Sequence, residues 1–184
     1  EGDYLLFIDA DDLMGEGVIE AGVSILEKEK LYDVVYGFIA HFEKKSDHID
    51  QRPLNKRPTV NGNLLPELIR GFHLTPGQYM LRRKCVERIG GFKIGIEYIA
   101  DWDFILRLAK NYQFIFCPKM FVNRRLHQAM ATRSKTKDDI YELRKSILKG
   151  VFGSETENLE KKYITKPIVA DWYKSFGFDY IDSE

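Results

Sequence analysis

Three carboxylates stand together near the start of the chain, in Phe7-Ile8-Asp9-Ala10-Asp11-Asp12. They follow Tyr4-Leu5-Leu6-Phe7-Ile8, an unbroken apolar run that reads as a strand buried on both faces. The acids would therefore crown the C-terminal end of a strand, the edge of an open α/β sheet where ligands bind. Like charges grouped this closely repel one another unless a cation intervenes, and hard carboxylate oxygens suit Mg2+ or Mn2+. Mg2+ usually takes one or two protein carboxylates and completes its shell from substrate phosphates and water, so the cluster predicts a diphosphate-bearing substrate. The plainer role for the same acids is capping the helix that follows.

A second group is Gly90-Gly91-Phe92 followed by Asp101-Trp102-Asp103. Asp101 opens a helix beside aromatic residues, where it can take a proton from a hydroxyl as general base, while Asp103 adds favourable charge to the first turn. Without a pocket, both would be simple caps. The third group is Asn123-Arg124-Arg125-Leu126-His127-Gln128, with Arg133 and Lys135 close behind. From Lys119 to Lys149 nine Lys and Arg outnumber three Asp and Glu, a local excess able to hold phosphate oxygens and offset charge on a diphosphate leaving group. A basic run of this kind otherwise serves as solvated surface.

Positioning these groups requires alternating strands and helices. The spacing of Val18, Ile19, Gly22, Val23 and Leu26 predicts a helix over Glu16 to Lys30, and Asp33 to Phe42 alternates as a strand. Glu43 to Asn63 is polar, contains Pro53 and Pro58, and reads as a loop. Short helices are expected over Leu64 to Phe72 and Arg83 to Ile89, with a strand at Gln78 to Arg82 between them. A helix follows over Asp101 to Asn111. Two strands, Gln113 to Cys117 and Met120 to Leu126, would be separated by Pro118-Lys119. Lys137 to Phe152 reads as a charged amphipathic helix, with one or two more helices after Glu155.

The 184 residues are enough for a packed core without disulfides or metal staples. With 28 Lys+Arg against 28 Asp+Glu, no global field recruits nucleic acid or an anionic membrane. Cys85 and Cys117 form no C-x-x-C pair, which suits a reducing compartment, argues against structural zinc, and leaves both as core residues. No apolar run approaches the ~20 residues of a membrane span. If the first strand is central, its missing neighbours would lie upstream of Glu1, so the chain reads as a fragment.

Taken in order, the three groups resemble the family 2 glycosyltransferases of GT-A fold. The D-x-D motif that ends a strand in that family is matched by Asp9-Ala10-Asp11. Its hydrophobic-Arg-Arg turn is similar to Met80 to Arg83, its Gly-Gly-Phe to Gly90 to Phe92, and its helix-opening Glu-Asp-x-Asp to Ala100 to Asp103. The tyrosine-Arg-x-His loop is similar to Arg125-Leu126-His127. Ala100 stands where the family usually has Glu, and Gln128-Ala129-Met130 replaces the common small-residue run.

The resemblance implies a partial GT-A fold, an α/β mixed sheet with flanking helices lacking the N-terminal nucleotide-binding strands, over residues 1–135, and a C-terminal helical extension over 136–184. It implies Asp11 as direct metal ligand, Asp9 on the metal or the nucleotide ribose, Asp101 as catalytic base, and His127 with Arg125 on the metal or diphosphate. The implied cofactor is Mg2+ or Mn2+, the donor is a nucleotide-diphosphate sugar, and the acceptor is a glycan or lipid-linked hydroxyl in bacterial polysaccharide or glycoconjugate synthesis. Transfer would invert the anomeric centre, and the fragment alone would be inactive. A cytoplasmic location is expected, at most peripheral to the inner membrane face, where Arg144 and Lys145 would meet anionic lipid. Two other functions remain open: a metal-dependent phosphotransferase or phosphatase with Asp9 as nucleophile, and a binding or assembly module dimerising through sheet edges.

Overall fold

The computed structural model describes residues 2–42, 59–96, 98–126 and 136–175. In chain order the elements are β1 (Tyr4–Leu5), β2 (Leu13–Met14), α1 (Val18–Lys28), β3 (Val34–Phe42), α2 (Leu65–Ile69), β4 (Tyr79–Arg82) and α3 (Arg83–Ile89). They continue with α4 (Ala100–Asn111), β5 (Phe114–Arg125), α5 (Lys137–Phe152), α6 (Thr156–Tyr163) and α7 (Lys166–Ser175). The sheet runs β1-β4-β3-β5-β2. β3 and β5 are parallel, whereas β1–β4, β3–β4 and β2–β5 are antiparallel.

Strand alternation sorts side chains onto two faces. Val34 and Tyr36 of β3, Tyr79 and Leu81 of β4, and Phe114 of β5 join Leu68, Trp102, Leu106 and Leu148 in one cluster. Val35, Met80, Cys117 and Phe121 point the other way, onto Val18 and Leu26 of α1. The sheet is thus covered by α1 on one face and by α2, α4 and α5 on the other, the α/β layering expected from the sequence. Cys85 and Cys117 are free and buried, as their spacing suggested. Burial pushes the Cys85 thiol up to about 12, so it sits there as a small apolar group.

Two strand expectations are corrected. Tyr4 to Ile8 is not a central strand: Tyr4 and Leu5 alone pair, with β4 on one side, so among the described residues this run is a sheet edge. Its apolar character is explained by layering, since Tyr4 and Leu6 pack towards α1 while Leu5 and Phe7 pack into the opposite cluster. Apolar runs report contact on both faces, not the number of hydrogen-bonded neighbours. The two expected strands around Pro118-Lys119 are one strand, β5. Pro118 is absorbed in an irregularity of the β3–β5 pairing, where Tyr36 faces Phe116 but Phe38 already faces Met120. Gly37 sits at that step, and a Cβ there would lie 2.6 Å from the Lys119 carbonyl oxygen. Only glycine admits so close an approach.

The expected loop from Glu43 lies largely outside the described residues, which resume at Thr59. The basic helix is corrected in one respect: Arg144 does not face solvent. It is 1% exposed, with its guanidinium 4.7 Å from the Trp102 ring centroid, so it offers no charge to a membrane surface. α5 starts at a capping box, in which Thr136 Oγ1 accepts from the Asp139 N–H and the Asp139 carboxylate accepts from the Thr136 N–H. It then adds Ile147, Leu148 and Phe152 to the larger cluster. No helix among the described residues is long and apolar enough to cross a membrane.

The Gly-Gly-Phe segment is held by α4. Phe92 packs 5.2 Å from Phe7 and 4.8 Å from Phe104, measured between ring centroids. Arg107 donates to the carbonyls of Ile89 at 2.9 Å and Gly91 at 2.8 Å. Asp103, 1% exposed, accepts from Arg107 at 2.7 Å and Lys93 at 2.9 Å. Removing a buried carboxylate strands its cations, which costs about 3–5 kcal/mol. Asp103→Ala is therefore expected to destabilise the fold by about 3 kcal/mol in urea unfolding. A loss under about 0.5 kcal/mol, the size of an ordinary surface change, would show the network to be ornamental.

Candidate functional site

The acid turn follows β1 after the three residues Leu6, Phe7 and Ile8. The Phe7 carbonyl oxygen accepts the Gly77 N–H, a contact made possible by positive φ (83°) at Gly77, and this ties the run before Asp9 to the turn that leads into β4. The turn closes with the Asp12 N–H on the Asp9 carbonyl at 3.1 Å. Its far side is latched to the end of β5. The Arg125 N–H donates to Asp12 Oδ1 at 2.8 Å, and Arg125 Nε donates to the Asp11 carbonyl at 2.9 Å. Residues more than 110 positions apart thus fix where Asp9 and Asp11 stand.

Asp101 enters from the start of α4. Its N-cap, Ile99, is the one non-glycine with positive φ (49°) among the described residues, a conformation that costs a β-branched residue roughly 1–3 kcal/mol. Asp101 Oδ1 accepts the Trp102 N–H at 2.9 Å, and Oδ2 lies 2.8 Å from His73 Nε2. The Trp102 indole in turn donates to the Leu68 carbonyl at 3.3 Å, holding α2 and α4 together behind the pair.

Charge converges on this edge. Partial burial, then the charges of Asp11 and Asp101, raise the Asp9 carboxyl above its ordinary value, against the pull of Arg124. Burial likewise raises Asp12, opposed first by its bond from the Arg125 N–H. Asp101 ends up on the other side of its ordinary value. Burial pushes its carboxyl up, yet His73, the Trp102 N–H and Arg124 together pull it below the usual carboxylate range. Tyr79 is 1% exposed, its hydroxyl has no hydrogen-bond partner among the described residues, and burial together with the charges of Asp101 and Asp9 raises its phenol. Buried hydroxyls are nearly always satisfied, so this one, which feels the charge of two carboxylates, is an exception. Arg144, held below its ordinary value at about 9 by burial, feels the Asp101 charge from α5.

Of the residues expected from sequence, Asp9, Asp11 and Asp101 come to the same edge. Asp9 and Asp11 are exposed, Asp101 half-buried. Arg125 is there too, but its guanidinium is spent on the Asp11 carbonyl and lies 4.5 Å from the Phe42 ring centroid. Its neighbour Arg124 is the cation whose charge reaches Asp9, Asp12 and Asp101. His127 lies outside the described residues. Sequence reasoning passed over His73 and Tyr79. Neither belongs to a motif, and each meets its carboxylates only through the packing of α2, β4 and α4.

No group of three or more His, Cys, Asp or Glu among the described residues is arranged to hold a metal ion. The donor chemistry nevertheless fits a hard divalent cation. The Asp11 charge adds to the cost of ionising Asp9, which a cation would relieve, and Mg2+ needs only one or two such ligands beside substrate phosphates.

No protein-family model matches the chain, and no curated protein is similar to it in sequence. Solved structures do match. The structure of S. aureus TarS 1-349 in complex with UDP superposes with a TM-score of 0.55 at 16% identity, covering 97% of this chain and 48% of that one. A second structure of S. aureus TarS 1-349 gives 0.54 at 13% identity, with the same coverage. Its complex with UDP-GlcNAc gives 0.56 at 17% identity, covering 97% of this chain and 50% of TarS. This chain therefore spans about half the length of those structures, and over nearly all of its own length it has their fold: a mixed sheet flanked by helices, of GT-A type.

Proposed function

We propose that this chain is part of a glycosyltransferase that uses a nucleotide-diphosphate sugar, of the family 2 type that its motif order resembles. The observation that carries this is the meeting of the Asp9-Ala10-Asp11 turn with the hydrogen-bonded Asp101 carboxylate at one sheet edge, in a fold shared with a protein seen with UDP-GlcNAc. Asp101 is the general base: it accepts the proton of an acceptor hydroxyl on a glycan or lipid-linked acceptor. The freed oxygen pair forms the new bond to the anomeric carbon, the bond to the nucleoside diphosphate breaks with its electrons leaving on the diphosphate, and the configuration inverts.

Arg124 supplies positive charge for that leaving group, and His127, further along the same segment, is assigned to the metal or the diphosphate. A Mg2+ or Mn2+ ion held by Asp9 and Asp11 supplies further charge compensation when bound. Asp9 and Asp11 themselves orient the diphosphate end of the donor, so that the sugar carbon lies between them and Asp101.

The test is the full-length protein incubated with UDP-GlcNAc, with Mg2+ or Mn2+ present. Release of UDP, faster when an acceptor glycan is added, is the expected result. Phosphate trapped covalently on Asp9 with no UDP released would instead assign phosphotransferase chemistry and overturn the proposal.

A further inference from the structure

We infer that His73 is a positioning residue for Asp101, clamping the carboxylate in a single orientation at the acid-lined edge of the sheet. This rests on Asp101 being the base proposed above. The pair is not a surface ion pair of marginal worth: both side chains are only about one-fifth exposed, and Nε2 to Oδ2 is 2.8 Å. The two oxygens of Asp101 are held from different parts of the chain, Oδ1 by its own helix at the Trp102 N–H and Oδ2 by His73, 28 residues earlier. Each oxygen keeps a second lone pair, so a carboxylate fixed in this way still accepts a proton.

The segment carrying His73 is itself rigidly seated. Leu68 and Ile69 before it and Leu74 after it are fully buried. Gly71 donates to the Leu68 carbonyl and Phe72 to the Glu67 carbonyl, closing α2. On the other side of the pair, Ile99 holds positive φ at the start of α4. A strained N-cap and a buried loop, converging on one carboxylate, are the construction by which a protein fixes a reactive group.

Other titratable or charged groups are coupled to Asp101 at longer range: the neutral phenol of Tyr79 from β4, Asp9 from the acid turn, Arg124 from β5 and Arg144 from α5. Among them His73 is the side chain hydrogen-bonded to it. Once the imidazole is gone, burial is opposed by the Trp102 N–H and Arg124 without the contribution of His73, and the carboxyl rises.

The experiment measures kcat, KM for UDP-GlcNAc and the pH profile of kcat in the full-length protein and its His73→Leu and His73→Gln variants. His73→Leu should lower kcat by about 100-fold, the cost of a misplaced reacting group, with KM unchanged within about two-fold. The acidic limb of its profile should move to higher pH. His73→Gln, which keeps an N–H donor, should recover part of kcat and show a smaller shift; should His73→Leu not fold, this shift alone decides. An unchanged kcat and acidic limb in the folded variant would overturn the inference while Asp101→Asn remained inactive. A wild-type protein that releases no UDP and transfers no sugar would overturn the glycosyltransferase proposal, and this inference with it.

Discussion

Asp101→Asn should lower sugar transfer by about 100- to 10,000-fold, the range contributed by a positioned general base. The amide preserves size and can still receive the Trp102 N–H on its oxygen, so the fold is expected to survive while proton acceptance is lost. Because the Asp101 carboxyl lies below the ordinary carboxylate range, it is ionised throughout neutral pH, and activity should be flat there. The loss of rate due to Asp101 should come as pH drops through that lowered value and the base becomes protonated. Steady-state kinetics on the full-length protein at several pH values tests both statements. Full transfer by Asp101→Asn, or an acidic limb near neutrality, would remove Asp101 from the role of base.

Asp11→Asn and Asp9→Asn should each cost about 100- to 1,000-fold in transfer, the scale of losing one electrostatic contact to a developing charge. The physical reason is the crowding of the turn. Partial burial and the neighbouring Asp11 and Asp101 charges already raise the Asp9 carboxyl, and a cation would relieve that repulsion where diphosphate is to bind. A chelator should therefore stop transfer by the unmodified protein, and added Mg2+ or Mn2+ should restore it. In the two variants the ion concentration needed for half-maximal rate should rise. If a chelator leaves the rate unchanged, the acid turn has a different purpose, and capping of the following chain becomes its best explanation.

The convergence of separate segments strengthens these expectations more than any one motif. The Gly90 to Phe92 segment, read from sequence as part of a resemblance, serves here as packing: Phe92 lies against Phe7 and Phe104, and Arg107 gathers the carbonyls of Ile89 and Gly91. That cluster connects the run leading to Asp9 with the helix carrying Asp101. The same packing explains why Asp103, two residues after the proposed base, belongs to the scaffold: its oxygens are spent on Arg107 and Lys93.

The two edges of the sheet bear on the assembly reading. β1 and β2 are each two residues long, so edge-to-edge pairing through them would add few ladder hydrogen bonds. The orphan hydroxyl of Tyr79 and the shared GT-A-type fold instead direct attention to the carboxylate edge.

What the sequence determined by itself was local. Alternation over Val34–Phe42 and helical spacing over Val18–Lys28, Ala100–Asn111 and Lys137–Phe152 are set by residues within a few positions of one another, and all four elements formed as expected. The grouping of Asp9, Asp11 and Asp12 is equally local, as is the placement of Asp101 at a helix start. Only the tertiary structure decided that Tyr4–Leu5 would be an edge, that β5 would run through Pro118, that Arg144 would be buried, and that Arg125 would latch the acid turn. It alone joined His73 to Asp101. Such contacts link residues 28 to 114 positions apart, and they arise from the summed burial of many side chains, which leaves no short-range pattern to read.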